Sequence, residues 1–265
     1  MGTQQHGDDA TEQKIQLQTL KCQLSTSSKI GSRLCGMQVY QINNNKYICF
    51  DKYEGRTLSV DGFKKNLLQY LNNGVRFRVD VIDPIIEKLE RLYQIIKSKS
   101  SYRFYGSSLL ILYDGQCDDE YDYEDDTRST SSDTTTATID LDQSPSSTTT
   151  TTTTNRTNND NNVNIDVRMI DFAHSTHCGY TDSKKHTGPD KGYLFGLDNL
   201  IKIFKEIKND CIEQTVMISS SNSSDFLLHN ISLRVPLQSP PDATPQPLST
   251  NSQKNIFFMQ QNELN

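Results

Sequence analysis

The sequence predicts an α+β fold in which an antiparallel sheet packs against helices. Several long stretches carry apolar residues at helical spacing, and several short β-rich runs are separated by turn residues. A third observation limits the size of the core: only about 160 residues have enough apolar side chains to contribute to one. We therefore expect one modest folded unit together with segments that do not join it.

Two segments are predicted to be disordered. Residues 116–162 begin with the acidic run DDEYDYEDD and continue as a Thr/Ser/Asn tract, while residues 212–265 are rich in Ser, Asn, Pro and Gln. Neither has the apolar density that would offset the entropy lost on ordering the chain. The predicted folded lobe therefore consists of residues 1–115 and 163–211.

The charge and the cysteines exclude some classes of function. Without the seven acidic residues of 118–126, the formal charge of −6 becomes +1, so the folded part is nearly neutral and no nucleic-acid partner is expected. No signal peptide or transmembrane run is present, and the six cysteines include no C-x-x-C pair. These features predict a protein of the cytoplasm, the nucleus or both, without a membrane span.

The first predicted helix covers residues 6–24, with Asp9 and Glu12 as a capping box. Its apolar residues fall on one face and are Leu17, Leu20 and Leu24. Lys14 and Lys21 lie two turns apart and share a different face, with Gln18 between them. Residues 33–55 then predict a β-hairpin around the turn NNNK.

Two scaffold helices follow. The first, over 59–74, places Val60, Phe63, Leu67 and Leu71 on one face and has Gly74 at its end. The second, over 83–98, has Asp83 as its N-cap and Pro84 at its first position. Its core stripe consists of Ile85, Leu89, Leu92 and Ile96.

Residues 107–115 and 164–172 predict two strands that form one antiparallel pair. The acidic and threonine-rich tract would then be an enlarged loop between them, which costs little because loop-closure entropy grows slowly with length. A last helix is predicted over 192–210.

Asp171 ends the second strand of this pair, within VRMIDFAHST. A strand end fixes a carboxylate, and Mg²⁺ in phosphoryl transfer is held by one or two carboxylates together with substrate phosphates. Asp171 is therefore a candidate magnesium ligand. The alternative interpretation is an aspartate that only caps a turn.

Five motifs occur in an order that resembles the inositol polyphosphate kinase family, and most closely its inositol hexakisphosphate kinases. They are GTQQHGDDA, CGMQVYQ, SYRFYGSSLLILYDG, VRMIDFAHST and GYLFGLDNLI. The resemblance covers roughly residues 1–115 and 163–208. It implies the C-terminal lobe of an inositol polyphosphate kinase-like fold.

The resemblance also implies an activity, namely transfer of the ATP γ-phosphate to an inositol phosphate. Asp171 would bind the Mg²⁺ that bridges the ATP phosphates and would be the catalytic residue, and Ser108 would lie beside the nucleotide. Lys14, Lys21 and His174 would bind the inositol phosphate. The alternatives are solvated lysines on a helix surface and a histidine that bonds a loop carbonyl. Lys184, Lys185 and His186 would add positive charge nearby or form an ordinary polar loop.

The chain departs from the family in two respects. It begins inside the family motif Pro-x-x-x-Asp-x-Lys-x-Gly, with Met1 and Gly2 as its last two positions, and Gln4 stands where an arginine is usual. We therefore expect weak or no turnover from a chain without the motif lysine and the N-terminal lobe. Either the chain is part of a longer kinase, or it is a short product with a partial substrate face.

Three further hypotheses remain open at the level of sequence. The substrate could be a lower inositol phosphate in place of the hexakisphosphate, whose pyrophosphate product would be a diphosphoinositol pentakisphosphate. The chain could be a non-catalytic module that binds inositol phosphates. The acidic run and the tail could act as interaction segments. The sequence does not indicate an oligomeric state.

Overall fold

The computed structural model describes residues 1–115, 164–180, 185–220 and 254–259, which belong to a single compact unit. The predicted disordered segment 116–162 lies outside the described residues, as does most of the predicted tail. Lys184 lies outside them too.

Six α-helices and seven strands make up the described part of the chain. The helices are α1 (Glu12–Gln23), α2 (Ser27–Ile30), α3 (Lys52–Thr57), α4 (Val60–Tyr70), α5 (Ile82–Ser98) and α6 (Lys191–Ser220), and a 3₁₀ turn (Val79–Val81) precedes α5. The strands are β1 (Gly36–Gln41), β2 (Lys46–Phe50), β3 (Arg103–Tyr105), β4 (Ser108–Asp114), β5 (Ile165–Ile170), β6 (His174–Thr176) and β7 (Lys254–Met259). No described helix is long and apolar enough to cross a membrane.

Five strands form one antiparallel sheet in the order β2-β1-β7-β4-β5. The predicted hairpin is confirmed as β1 and β2, and the predicted antiparallel pair is confirmed as β4 and β5. A second, two-stranded sheet pairs β3 with β6. The α+β class predicted from the sequence is therefore correct.

Strand β7 corrects the prediction that residues 212–265 are disordered. Residues 254–259, KNIFFM, pair with β1 on one side and with β4 on the other, so this strand joins two antiparallel pairs into one sheet. Phe257 is fully buried, with its ring centroid 5.0 Å from that of Tyr70 and 6.1 Å from that of Phe63. A short apolar run inside a polar tail is stable here because both of its edges and one of its faces are covered. Helix α6 also runs past residue 211.

The core faces of α4 and α5 are as predicted, although their ends differ. Phe63, Leu67 and Leu71 are fully buried, and so are Ile85 and Leu89. Helix α4 ends at Tyr70, and Gly74 lies in the following turn with φ +83°.

The predicted N-cap of α5 is wrong, because the 3₁₀ turn runs directly into the helix. Val81 is the cap residue and makes no side-chain capping bond, so Asp83 and Pro84 lie inside the first turn. The Asp83 carboxylate instead accepts hydrogen bonds of 2.7 Å from Lys208 Nζ on α6.

Helix α1 differs from the prediction in its cap and in its orientation. Thr11, not Asp9, is the N-cap and accepts from the Lys14 amide. The three predicted apolar residues are exposed, at 52% for Leu17, 50% for Leu20 and 74% for Leu24. Gln18 and Cys22 face inwards instead. The orientation of this helix is therefore set by tertiary contacts and not by its hydrophobic pattern. One such contact is the hydrogen bond from Cys22 Sγ to the Thr3 carbonyl.

Two glycines allow α2 and α6 to touch through their backbones. Gly31 has φ +66°, and a Cβ atom built on it would lie 2.7 Å from Gly196. A Cβ on Gly196 would lie 2.5 Å from the Gly31 carbonyl oxygen. The N-terminal segment joins the same region, since the Gly2 amide donates to Gly31 O at 2.8 Å and the Met1 amine to Ser107 O at 3.0 Å.

Candidate functional site

The β4–β5 pair places two predicted site residues next to each other. Ser108 at the start of β4 is opposite Ile170, the residue immediately before Asp171. Ser108 has no exposed surface, so its hydroxyl lies inside the protein and a direct contact with a nucleotide stays a prediction. The pairing itself holds the end of β5 in position.

Asp171 follows β5 in the left-handed region, with φ +60°. Aspartate tolerates this region better than most residues because its short side chain can bond to the local backbone. The Ala173 amide donates to Asp171 Oδ1 at 3.4 Å, and no described group donates to Oδ2. The residue thus supports the turn while keeping one carboxylate oxygen available.

A metal ion at Asp171 would depend on oxygens that its ligand brings. The described residues contain no group of three or more His, Cys, Asp or Glu side chains that could enclose a cation. One fixed carboxylate with an available oxygen fits Mg²⁺, which retains several waters and binds through one or two carboxylates together with phosphates. It does not fit a closed protein site such as that of structural zinc.

His174 lies three residues after Asp171, at the start of β6, and contacts α1. Lys14 Nζ is 3.5 Å from His174 Nε2. Neither side chain has an acidic partner among the described residues, so both can turn towards an anion. The structure therefore brings two predicted substrate-binding residues, 160 positions apart, next to the turn that carries Asp171.

Lys21 lies two turns further along α1, in a second basic group that the sequence analysis missed. Burial lowers the pKa of Lys21, and the charges of Arg56 and Arg33 lower it further. We call these three residues the Arg33 cluster. No periodicity or motif indicated Arg33 or Arg56, because they come from the segment before β1 and from α3.

A third polar group fastens the N-terminal segment to the loop that ends at α6. His186 Nε2 is 2.5 Å from Asp8 Oδ2, and the Tyr105 hydroxyl lies 3.3 Å from Asp8 Oδ1. Burial, followed by the Asp8 charge, raises the pKa of Tyr105 to about 12. His186 is thus engaged with a carboxylate, whereas the sequence left open nearby positive charge and an ordinary polar loop.

The predicted metal- and substrate-binding residues consequently form two groups. Asp171, His174 and Lys14 lie together around the β5–β6 turn, and Lys21 lies about 10 Å from Lys14 along the axis of α1, at 1.5 Å per residue. The sequence predicted that Lys14 and Lys21 lie on the same face of α1. Both lysines are half-buried and Gln18 between them is buried, which is consistent with that prediction.

The chain is similar in sequence to a family of known activity. A family profile described as inositol polyphosphate kinase matches residues 1–205. Inositol hexakisphosphate kinase 1 of Rattus norvegicus is 44% identical over 212 residues, and inositol hexakisphosphate kinase 3 of Homo sapiens is 43% identical over 209 residues. These alignments cover 79% and 78% of this chain but 47% and 46% of the relatives. The chain therefore spans about half the length of the relatives it matches.

Solved structures have the same fold. One structure of inositol phosphate multikinase matches with a TM-score of 0.55 over 78% of this chain and 76% of that one. A second, the Saccharomyces cerevisiae multikinase in complex with ADP and Mn²⁺, matches with a TM-score of 0.54 over 78% and 75%. Both structures are 19% identical in sequence to this chain, so the similarity shows a shared fold and nothing further.

Proposed function

Because the chain belongs to the inositol polyphosphate kinase family, we propose that it serves ATP-dependent phosphoryl transfer to inositol phosphates, with the hexakisphosphate as acceptor. One observation carries the proposal: Lys14 and His174 meet beside the turn that presents Asp171. Lys14 and His174, which could bind the polyanionic acceptor, are then close in the structure to Asp171, which could bind the metal ion of the nucleotide. Phosphoryl transfer depends mainly on such positioning and charge neutralisation.

The acceptor preference rests on the relatives and on charge. Both relatives described above are inositol hexakisphosphate kinases. The basic residues extend along α1 from Lys14 to the Arg33 cluster, so a ligand with phosphates all around its ring could contact several of them at once. Arginine and lysine are the side chains that bind phosphate most strongly.

Asp171 would hold Mg²⁺, which neutralises charge on the ATP phosphates when it is bound. The backbone of β4 and β5 fixes the position of Asp171, and Lys14 with His174 would hold the acceptor next to it. An oxygen of an acceptor phosphate would then form a bond to the γ-phosphorus as the bond to the ADP oxygen breaks. The products would be ADP and a diphosphoinositol phosphate.

Incubation of the purified chain with Mg²⁺ and γ-labelled ATP tests this function. Because the chain lacks the motif lysine, we expect weak turnover, with label in inositol hexakisphosphate and not in a trisphosphate supplied at the same concentration. Label in the trisphosphate alone would overturn the acceptor assignment. No label in either acceptor would overturn the catalytic proposal for this chain.

A second candidate function is inositol phosphate binding without transfer. It is favoured because the described residues include several basic side chains that could contact an anion, namely Lys14, Lys21, Arg33 and His174. They contain no group of three or more His, Cys, Asp or Glu side chains that could enclose a metal ion. Calorimetry distinguishes the two functions. Binding of the hexakisphosphate without binding of magnesium-ATP would support the second function and contradict the first.

A further inference from the structure

Helix α1 carries Lys14, yet its apolar residues do not hold it against the rest of the fold. Its three leucines are exposed, and its buried residues are Gln18 and Cys22. The place of a helix in a protein is normally set by the packing of its apolar face. The place of α1, and therefore of the Lys14 ammonium group, depends instead on individual polar contacts.

One such contact lies just before the helix, at Asp8, three residues before the N-cap Thr11. Both oxygens of the Asp8 carboxylate are held. His186 Nε2 lies 2.5 Å from Oδ2, and the Tyr105 hydroxyl donates to Oδ1 at 3.3 Å. The side chains of Asp8 and His186 are only 9% and 10% exposed, and hydrogen bonds to a carboxylate that is shielded from water are strong. We call Asp8, His186 and Tyr105 the Asp8 clamp.

The two residues that hold Asp8 are themselves attached to strand β3. Tyr105 is the last residue of β3 and is buried. The loop that carries His186 is fastened to the same strand, because Arg103 donates to the carbonyls of the next two residues, at 3.1 and 3.0 Å. The Asp8 clamp therefore ties the start of α1 to a strand that is paired in a sheet.

These contacts form a closed path that includes the proposed acceptor site. Strand β3 pairs with β6, and Tyr105 is directly opposite His174 in that pairing. His174 Nε2 in turn lies 3.5 Å from Lys14 Nζ in the first turn of α1. Asp8 thus connects the start of α1 to Tyr105, and the residue opposite Tyr105 contacts the same helix turn.

We propose that Asp8 is a positioning residue, which through His186 and Tyr105 fixes the first turn of α1 and so holds Lys14 next to His174. This role rests on the function proposed above, in which Lys14 and His174 bind the inositol phosphate. A lysine side chain is flexible, so its ammonium group is placed precisely only if its helix is held in position. Asp8 needs no contact with the acceptor for this role, and its negative charge would repel the acceptor phosphates.

Positioning and electrostatics predict opposite effects when the Asp8 carboxylate is removed. By charge alone, loss of a carboxylate near a polyanion strengthens binding. Loss of the Asp8 clamp instead lets Lys14 move away from His174. We expect Asp8→Ala to weaken the binding of inositol hexakisphosphate about tenfold, because a displaced ammonium group no longer makes its charge-assisted hydrogen bond. Calorimetric titration without ATP or Mg²⁺ measures the affinity.

The matched control is Asp9→Ala. Asp9 is the exposed neighbour of Asp8 in the same turn, so the variant removes an equal charge from nearly the same place. Its affinity for inositol hexakisphosphate should be unchanged or slightly higher. Binding by Asp8→Ala that is as tight as that of Asp9→Ala would overturn the proposal.

A conservative substitution of His186 separates positioning from a general loss of stability. Glutamine carries an amide N–H donor, so His186→Gln should still donate to Asp8 and keep the wild-type affinity. His186→Ala should weaken binding about as much as Asp8→Ala does, and it replaces that variant if Asp8→Ala does not fold. Equal affinities of the two His186 variants would contradict the role of the Asp8 clamp.

Histidine NMR tests the Asp8 clamp without any ligand and thus independently of the proposed function. In the wild-type chain, Lys14→Met should change the chemical shifts of the His174 ring, because Lys14 Nζ lies 3.5 Å from it. In the Asp8→Ala or His186→Ala chain the same substitution should change them little. An equal change in both backgrounds would overturn the positioning role. The expected NMR result from a chain that binds no inositol hexakisphosphate would overturn the proposed function alone.

Discussion

At the scale of single residues, Asp171 combines two properties that usually belong to different side chains. It adopts φ +60° and accepts from the Ala173 amide, which an asparagine could do equally well. Its charge and its second carboxylate oxygen are not needed for the turn. The interpretations of Asp171 as a turn residue and as a metal ligand are therefore compatible, and one substitution separates them.

Asp171→Asn should leave the fold intact and remove transfer activity. In an active version of the enzyme that carries the complete family motif, we expect label transfer to hexakisphosphate to fall about a hundredfold or more, because a lost metal contact removes several kcal/mol of charge stabilisation and about 1.4 kcal/mol is tenfold in rate. The melting temperature should not change. Asp166→Asn, on the same strand, is the control and should retain activity. Equal activity of the two variants would contradict the metal role.

Lys21 offers a measurement of pKa at the same scale. Arg33 and Arg56 disfavour the protonated form of Lys21, so removing one of these charges should raise its pKa towards the usual value of 10.5. We expect Arg33→Met to shift the titration of the Lys21 side chain to higher pH, as followed by carbon NMR of labelled lysine. Burial remains as the largest cause, so the recovery should be partial. A pKa unchanged in the variant would show that the two cations do not interact.

At the scale of elements, the contact between α2 and α6 depends on the absence of a side chain. Gly196 lies in the first turns of α6, where a Cβ built on it would lie 2.5 Å from Gly31 O and 2.9 Å from Met1 Cε. Helical glycine is normally unfavourable by about 1 kcal/mol relative to alanine. The glycine is favourable here because a methyl group would occupy the space of a backbone carbonyl.

Gly196→Ala should destabilise the protein by about 1–3 kcal/mol, because its Cβ would lie 2.5 Å from a carbonyl oxygen that cannot move freely. Gly62→Ala is the matched control. It is also a helical glycine, and the three atoms nearest to its Cβ would all belong to side chains, namely those of Leu58 at 3.2 and 3.7 Å and of Ser59 at 3.4 Å. Denaturant unfolding should show a loss for the first variant and no loss for the second. Equal free energies of unfolding would contradict the close approach.

At the scale of the whole molecule, the sheet depends on a strand from the far end of the chain. Strand β7 lies between β1 and β4, so within the described sheet it joins the β1–β2 pair to the β4–β5 pair. The chain therefore completes its main sheet with residues 254–259, which are distant in sequence from both neighbours. A strand this short is not stable by itself, so its pairing depends on burial between its two neighbours.

Phe257→Ala should destabilise the fold by about 3–5 kcal/mol, the usual cost of removing a fully buried phenylalanine. Phe258→Ala changes the half-buried neighbour on the opposite face of the same strand and should cost clearly less. Chemical denaturation measures both. If the two variants lose equal stability, or if neither loses any, β7 does not belong to the centre of the sheet.

The sequence by itself determined the elements whose signals are local. The core faces of α4 and α5, the β1–β2 hairpin, the β4–β5 pair and the position of Asp171 at a strand end all follow from side-chain periodicity and turn residues. Ordered motifs likewise indicated the family. Such patterns are legible in a sequence because each depends on neighbours a few residues away.

Tertiary structure alone decided the features that join distant segments. The insertion of β7, the outward leucines of α1, the Lys14–His174 contact and the Arg33 cluster each depend on elements that meet only in the folded chain. Periodicity predicted the wrong exposed face for α1, because the contacts that bury Gln18 and Cys22 come from elsewhere. Burial and charge compensation are properties of three-dimensional neighbours. For this reason the buried Arg33, which has no partner in the part of the chain that the structure describes, became visible only in the structure.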